Sequence, residues 1–249
     1  MIKVKDVLDY LENLYPKNTA CDFDNVGLLV GNSELEITGA VVALDCDINT
    51  VHYAESRNAN LIITHHPIIL EPLKTLTEND IVFMLIERGI SVISMHTNHD
   101  VGIGGVNDSL CEALKLNNIK PHIAEDGYLL KYGVTDISDA DKFAAHIKEQ
   151  LGGAVRYVAG SRPVNTVLVC SGSGGNYVDE AKKHGFDALV TADIKHHQFI
   201  AAVNAGISLF DGGHYNTENV VVKPLAERLS GQFAGVVFNI FLNEAIKTL

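Results

Sequence analysis

The sequence predicts an α/β protein made of two similar units, each with a mostly parallel sheet. Short runs rich in β-branched residues alternate with segments of helical periodicity, and this alternation occurs twice along the chain. With 249 residues and 47% hydrophobic content, the chain can bury a substantial core. The alternative to an internal duplication is one continuous, doubly wound sheet.

The first half of the chain begins with an amphipathic helix and continues with three strands that alternate with helices. Pro67 ends the second strand, Gly89 follows the second of the intervening helices, and Asn107 or Asp108 is expected to cap the last one. The predicted strands are 39–46, 60–67 and 90–100, and the predicted helices that follow them are 49–57, 79–89 and 104–116.

The second half repeats this order. Segment 61–66 matches 189–194, and segment 89–100 matches 206–218. We therefore predict a first unit at 1–124, a second unit at 125–214, and a C-terminal segment at 215–249 that completes the first unit. The predicted strands are 166–172, 186–193 and 207–214, and the predicted helices are 176–185, 196–206 and 215–230, with a further helix flanked by strand-like pieces inside 125–165.

Composition excludes several classes of function. The net charge of −12 makes nonspecific nucleic-acid binding unlikely, because an acidic surface repels phosphate. No apolar run is long enough to span a membrane, and acidic residues near the N-terminus argue against a signal peptide. The four cysteines are far apart with no CxxC pair, which favours a reduced, cytoplasmic protein without a cysteine metal site.

The histidines are concentrated where predicted strands end. Ligands of parallel α/β sheets bind at the carboxyl ends of the strands, so these positions are candidate site positions. Seven of the eleven histidines lie at such junctions: His65, His66, His96, His99, His196, His197 and His214.

The pair His65 and His66 is followed by Pro67, which keeps His66 extended. Neighbouring side chains of a strand point to opposite faces, but at a strand end two adjacent imidazoles can diverge toward two metal ions. A buried core histidine beside an exposed one is the alternative.

His214 and Glu218 are four residues apart, so on a helix they share one face. A carboxylate has two oxygens and can bridge two cations. The alternative is an acid favoured by the helix N-terminus. Asp100 is the further carboxylate, and a turn or capping aspartate is its alternative.

Three imidazoles and two carboxylates suit Fe, Zn, Mn, Co or Ni rather than Ca. We predict that these residues bind two divalent ions per chain and leave open positions typical of a catalytic centre. The predicted ligands are His65, His66, Asp100, His214 and Glu218.

Other polar residues at strand ends are candidates for catalytic or supporting roles. His96, Asp193 and His197 are predicted to orient ligands or move protons, while the roles of His99 and His196 are left open. The glycine-rich turn could bind phosphate through backbone N–H groups, although a tight turn without a ligand explains it equally well. Its predicted residues are Ser171, Gly172, Ser173 and Gly174.

Several short motifs together resemble the Nif-three-like family, also called GTP cyclohydrolase 1 type 2 homologues. Their order and spacing across nearly the whole chain make the resemblance specific. The matching motifs are Asp24–Leu28, Thr64–Pro67, His96–Asp100, Ser171–Gly174, Asp193 with His196 and His197, and Gly213–Glu218.

The resemblance implies a two-domain α/β fold, a dinuclear metal site between the halves, and a homohexamer. It assigns His66 and Asp100 to one ion, His65 and His214 to the other, and Glu218 to both. Some members carry an extra domain between the halves, for which this chain has no room.

Two hypotheses about function follow. In the first, the protein is a metal-dependent hydrolase whose substrate is a nucleotide or another phosphorylated small molecule. In its GTP cyclohydrolase form, water adds at C8 of the purine and formate leaves after ring opening. In the second, the metals serve a non-catalytic regulatory, interaction or metal-delivery role.

Overall fold

Two separately packed units make up the chain in the computed structural model, which describes residues 1–247. Unit 1 comprises Met1–Ile103 and Val222–Ala245, and unit 2 comprises Gly104–Val221 with the described residues from Ile246 onward. The sequence placed the first boundary at 124/125 and the second at 214/215 instead. The end of the predicted C-terminal segment, residues 248 and 249, lies outside the described residues.

Residues 1–247 form ten α-helices and eleven strands. The helices are α1 (Val4–Leu14), α2 (Ile48–Ser56), α3 (Ile81–Glu87), α4 (Thr97–Val101), α5 (Val106–Ala113), α6 (Ala140–Leu151), α7 (Val178–Lys183), α8 (His196–Ala205), α9 (His214–Glu218) and α10 (Val222–Gln232). The strands are β1 (Gly27–Val30), β2 (Ala40–Ala43), β3 (Leu61–Thr64), β4 (Ser91–Ser94), β5 (Asn117–Ile123), β6 (Leu129–Val134), β7 (Arg156–Val158), β8 (Thr166–Ser173), β9 (Ala188–Ala192), β10 (Ser208–Asp211) and β11 (Phe238–Phe241).

The sheet of unit 1 has the order β1-β4-β3-β2-β11. Strands β4, β3, β2 and β11 are parallel, and β1 is antiparallel to β4, so the prediction of a mostly parallel sheet is confirmed for this unit. Strand β11 lies outside every predicted strand and adds an edge to β2. One core cluster packs α2 and α3 against the sheet through Val41, Ile62, Val51, Leu85 and Val92.

The sheet of unit 2 has the order β5-β6-β8-β9-β10-β7, and here the prediction of a mostly parallel sheet is wrong. Only β8, β9 and β10 are parallel, while β5, β6 and β7 pair antiparallel. Strands β5 and β6 are joined by a short turn, and such a connection can only produce an antiparallel pair. Pro121 is accommodated because β5 is an edge strand.

Alternate residues of the unit 2 sheet enter two different cores. Val167, Val169 and Val190 face the cluster that contains α5 and α6 residues, whereas Leu168 and Leu189 face the cluster that contains α7 and α8 residues. This alternation follows from the two-residue repeat of a strand. Helices therefore cover both faces of the sheet, as expected for buried parallel strands.

Each unit contains three consecutive parallel strands joined by helices, β2-β3-β4 and β8-β9-β10. The arrangement matches the repeated order of the sequence. Because βαβ units of unrelated origin adopt the same right-handed arrangement, the internal duplication stays a prediction.

Two predicted elements are wrong in detail. The strand predicted over 90–100 ends at Ser94, and Thr97–Val101 forms helix α4. The helix predicted over 215–230 is interrupted by a 3-10 turn at Asn219–Val221, between α9 and α10. Pro224, in the first turn of α10, lacks an N–H group and its ring would conflict with the carbonyl of Val220, so one unbroken helix cannot run from α9 into α10.

The described residues contain no helix that combines the length and apolar character needed to cross a bilayer.

Candidate metal centre

One group of candidate residues, in unit 1, lies at the carboxyl ends of β3 and β4. The parallel ladder continues briefly beyond both strands, because Met95 N donates to Thr64 O and His66 N donates to Leu44 O. The rings of His65 and His66 are consequently only 5.0 Å apart, and the ring of His96 lies 5.1 Å from that of His65. The ligand nitrogens of the three histidines lie within 4.8 Å of one another.

The start of α4 is fixed by side chains rather than by its own backbone. Asp24 accepts hydrogen bonds from Thr97 N and Thr97 Oγ1, and Asn98 Oδ1 accepts one from His96 N. This arrangement satisfies the exposed N–H groups of the first helical turn. It also places Asp100, which is 6% exposed, with Oδ1 3.5 Å from His65 Nε2.

Each histidine of this group has its Nδ1 bound to a protein oxygen. His65 Nδ1 lies 3.0 Å from Met95 O, His66 Nδ1 lies 2.7 Å from Asp45 Oδ1, and His96 Nδ1 lies 2.9 Å from Asp24 Oδ1. Because both kinds of oxygen accept hydrogen bonds, Nδ1 carries the proton and Nε2 is the atom that can bind a metal. Metal-binding histidines typically have this arrangement.

Asp24 is ionised in this environment. Burial alone would raise the pKa of its carboxyl group, but hydrogen bonds from His96 and Thr97 outweigh burial and hold the pKa well below its usual range. The anion in turn keeps His96 oriented.

His99 differs from its neighbours. It is fully buried, its ring lies 4.4 Å from that of Tyr15, and burial followed by repulsion from His65 and Arg228 holds its pKa well below the usual value. We interpret His99 as a neutral core histidine.

A second group of candidate residues, in unit 2, is centred on His214, the first residue of α9. His214 Nδ1 lies 2.7 Å from Asp193 Oδ2, and His214 Nε2 lies 3.0 Å from Glu218 Oε2. The pKa of His214 is raised to about 9, first by the hydrogen bond to Glu218 and then, against the opposing effect of burial, by the charges of Glu218 and Asp193. Two carboxylates on one imidazole form a strongly cation-attracting group.

The predicted i, i+4 relation of His214 and Glu218 is therefore confirmed at the level of geometry, and Glu218 is 3% exposed. Asp193 supports His214 from the end of β9, and it does so with a left-handed backbone, φ 53°. Strained non-glycine residues of this kind cluster at functional sites. His196 and His197 follow on the first turn of α8 and are exposed.

The predicted glycine-rich turn is mostly the end of strand β8, since only Gly174 of Ser171–Gly174 lies outside the strand. Its backbone N–H groups already have protein acceptors: Ser171 N donates to Asn107, Gly172 N to Thr217 and Gly174 N to Thr191. Ser173, the remaining member of the motif, is the last residue of β8. Phosphate binding by this turn stays a prediction.

Gly172 leaves space for the carboxylate of Glu218, the last residue of α9. A Cβ atom at this position would lie 2.1 Å from Glu218 Oε1, and the backbone has φ +59°. No other residue fits both conditions.

Thr191 holds this turn closed. It is fully buried, accepts from Gly174 N at 2.7 Å and donates to Gly172 O at 2.9 Å. We expect Thr191→Val, which keeps the shape but loses both hydrogen bonds, to lower the free energy of unfolding by about 2–3 kcal/mol. Urea denaturation measures this loss, with Thr75→Val at an exposed position as a control that changes stability by about 0.5 kcal/mol or less. Equal stability of the two variants would contradict the assigned role.

The supporting oxygens of Asp45 and Met95 were not identified from the sequence, and Asp24 was identified only as part of a motif. All three lie near the end of a strand: Asp45 follows β2, Met95 follows β4, and Asp24 precedes β1. An acid directly after a buried strand is the signal that could have identified Asp45. Asp24 is 72 residues from His96, and no local pattern connects them.

Comparison with known proteins decides the family. The sequence profile of Duf34/NIF3 (NGG1p interacting factor 3) matches residues 2–247. The chain belongs to the Duf34/NIF3 family.

Relatives match this family member over nearly their whole length. A protein of Clostridium perfringens named GTP cyclohydrolase 1 type 2 homolog is 31% identical, with 98% of this chain and 97% of the relative covered. A Lactococcus lactis protein of the same name is 32% identical, with 94% of each chain covered.

Solved structures similar to this chain have the same mixed α/β fold. A hypothetical protein of Staphylococcus aureus has a TM-score of 0.90 at 29% identity, with 99% of each chain covered. Reduced HcgD from Methanocaldococcus jannaschii has a TM-score of 0.83 at 28% identity, with 96% of this chain and 97% of that chain covered.

Proposed function

We propose that this Duf34/NIF3 protein is a metal-dependent hydrolase with a dinuclear divalent-metal centre, and that its substrate is a nucleotide or another phosphorylated small molecule. The ligands are the five residues expected from the sequence: His65, His66, Asp100, His214 and Glu218. Fe, Zn, Mn, Co and Ni are the candidate ions, since they accept mixed nitrogen and oxygen ligands.

One observation carries the proposal. Three of the proposed ligands are histidines, and each has its Nδ1 bound to a protein oxygen, from Met95, Asp45 or Asp193. Such contacts orient an imidazole so that Nε2 can bind a metal. They also restrict the side-chain rotation that an ordinary surface histidine retains, at a cost in conformational entropy. Buried Asp100 and Glu218 supply the carboxylates close to two of these Nε2 atoms.

When bound, two such ions activate water and stabilise negative charge that develops on a substrate oxygen. Of the side chains not assigned as ligands, His96 is suited to move a proton at Nε2, since Asp24 holds its Nδ1. Asp193 fixes the orientation of His214, and exposed His197 is the candidate to contact substrate. Bound cations would supply a local positive field, which explains how a chain of net charge −12 can accept a phosphorylated molecule.

The names of the relatives support GTP as the first substrate to test. In that reaction water adds at C8, the ring opens and formate is released. A cytoplasmic location, predicted from the cysteines, and a homohexamer, implied by the family resemblance, are part of the same proposal.

The test is elemental analysis of protein purified without added metal, followed by a nucleotide screen on the same sample that measures formate and phosphate. We expect two ions per chain that depend on His65 and Glu218, together with turnover. Formate release from GTP supports the cyclohydrolase form, and cleavage of another phosphorylated compound supports a hydrolase with a different substrate. Two ions without turnover would contradict the hydrolase and favour the regulatory or metal-delivery role. Absence of such ions would contradict the metal centre itself.

A further inference from the structure

Unit 2 contains another cluster of metal-binding side chains, made of residues outside the candidate metal centre. His122 lies on the edge strand β5, Glu180 lies on α7, and His184 follows the last turn of α7. One ligand atom from each of the three residues lies within 4.8 Å of the others. We propose that His122, Glu180 and His184 form a mononuclear Zn²⁺ site.

The distances are close to those of a zinc site. His122 Nε2 lies 2.6 Å and His184 Nε2 lies 3.2 Å from Glu180 Oε1. Ligand atoms about 2.0–2.1 Å from a tetrahedral Zn²⁺ lie about 3.4 Å apart. Each of the two histidine nitrogens therefore needs to move by less than about 1 Å relative to Glu180 Oε1, a shift that side-chain rotation supplies. Two imidazoles and one carboxylate are a common zinc ligand set, with water in the fourth position.

Burial of the Glu180 carboxylate favours the binding of a cation by the cluster. Its side chain is 7% exposed. In the described residues its ion-pair partners are the two histidines and include no lysine or arginine. A histidine compensates a buried carboxylate only when it is protonated. A divalent ion would compensate the charge of Glu180 while both imidazoles bind it in their neutral form, and buried charges are stable only when they are paired or bind metal.

The surroundings orient the ligands and leave an entry path. Glu125 N lies 3.4 Å from Glu180 Oε2, on the far oxygen of the carboxylate. The ring of Phe186 packs edge-on against His122 with centroids 5.2 Å apart. His184 is 41% exposed, so an ion can reach the cluster from solvent.

Bound Zn²⁺ would tie the edge strand β5 to helix α7. His122 and Glu180 are 58 residues apart, so the ion closes a long loop. We infer a stabilising role for this site, since its ligands belong to elements that otherwise meet only through side chains.

The test counts Zn²⁺ equivalents and binding affinities by calorimetric titration of the full chain. We expect His184→Ala to bind one fewer Zn²⁺ per chain than the wild type and to lose part of the Zn²⁺-dependent rise in Tm. His52→Ala, which removes another exposed histidine, is the matched control and should keep every equivalent. Because the result is a difference of one equivalent, it does not depend on how many ions bind elsewhere.

His122→Gln and Glu180→Gln should lose the same equivalent, and His184→Ala is expected to fold normally because the residue is exposed at a helix end. Circular dichroism confirms the fold of each variant. If His184→Ala and His122→Gln bind as many Zn²⁺ ions as wild type with unchanged affinity, the cluster is a hydrogen-bonded pair only and the proposal is overturned.

Discussion

Replacing either of two ligands of the candidate metal centre, His65→Ala or Glu218→Ala, is expected to remove bound metal and turnover together. His65 is 2% exposed and Glu218 is 3% exposed, so after mutation no flexible surface side chain can move in and take over the ligand position. In the proposed dinuclear centre, loss of one ligand would weaken the binding of both ions, because Glu218 is proposed to be shared between them. Activity should fall by at least about 100-fold, as the metal supplies several kcal/mol of transition-state stabilisation.

The measurements are metal content after gel filtration and turnover under the conditions of the substrate screen. His52→Ala and Glu227→Ala remove an exposed histidine and an exposed glutamate and should leave both unchanged. His65→Gln, which keeps most of the side-chain volume, separates metal loss from a packing defect. Wild-type metal content and turnover in folded His65→Gln and Glu218→Ala would show that these residues are not ligands.

Gly172→Ala is expected to damage the metal centre without removing any ligand. The added Cβ would lie 2.1 Å from Glu218 Oε1 and 3.4 Å from His214 Cε1, so the carboxylate must leave its position. The left-handed backbone adds a strain of about 1–2 kcal/mol. We expect the variant to bind metal much more weakly and to lose more stability than strain alone explains.

The matched control is Gly89→Ala. Gly89 has a similar left-handed backbone, φ +64°, but nothing lies within 4 Å of an added Cβ. The Gly89→Ala variant should therefore lose only about 1–2 kcal/mol of its free energy of unfolding and bind as much metal as the wild type. Urea denaturation and metal analysis of the two variants separate backbone strain from the collision with Glu218. Equal metal content in both variants would mean that the position of Glu218 is not required for binding.

The proposed ligands were predictable because each has a local signal. His65 and His66 follow a β-branched strand and precede a proline, and His214 and Glu218 have helical spacing directly after another strand. Strand ends and helix starts are properties of short segments, so periodicity identifies them. Near the proposed ligands the extent of β4 was misjudged, because contacts from the distant Asp24 help to determine where α4 starts.

The mixed character of the unit 2 sheet was not predictable from the same patterns. Strands β5, β6 and β7 have no signal of direction, and direction depends on the connection and on which neighbour a strand reaches. Residues His122 and Glu180 were missed for the same reason. Their contact joins an edge strand to a helix that follows a different strand.

The sequence by itself determined the alternation of strands and helices, the family, and the histidines and acids that follow the strands. The tertiary structure alone decided which oxygen holds each Nδ1, which glycine makes room for Glu218, and that His122 meets Glu180. The physical reason is that periodicity reports which face of an element is buried but not its partner. Partners separated by tens of residues are selected by sheet order and by loop closure, which are properties of the whole fold.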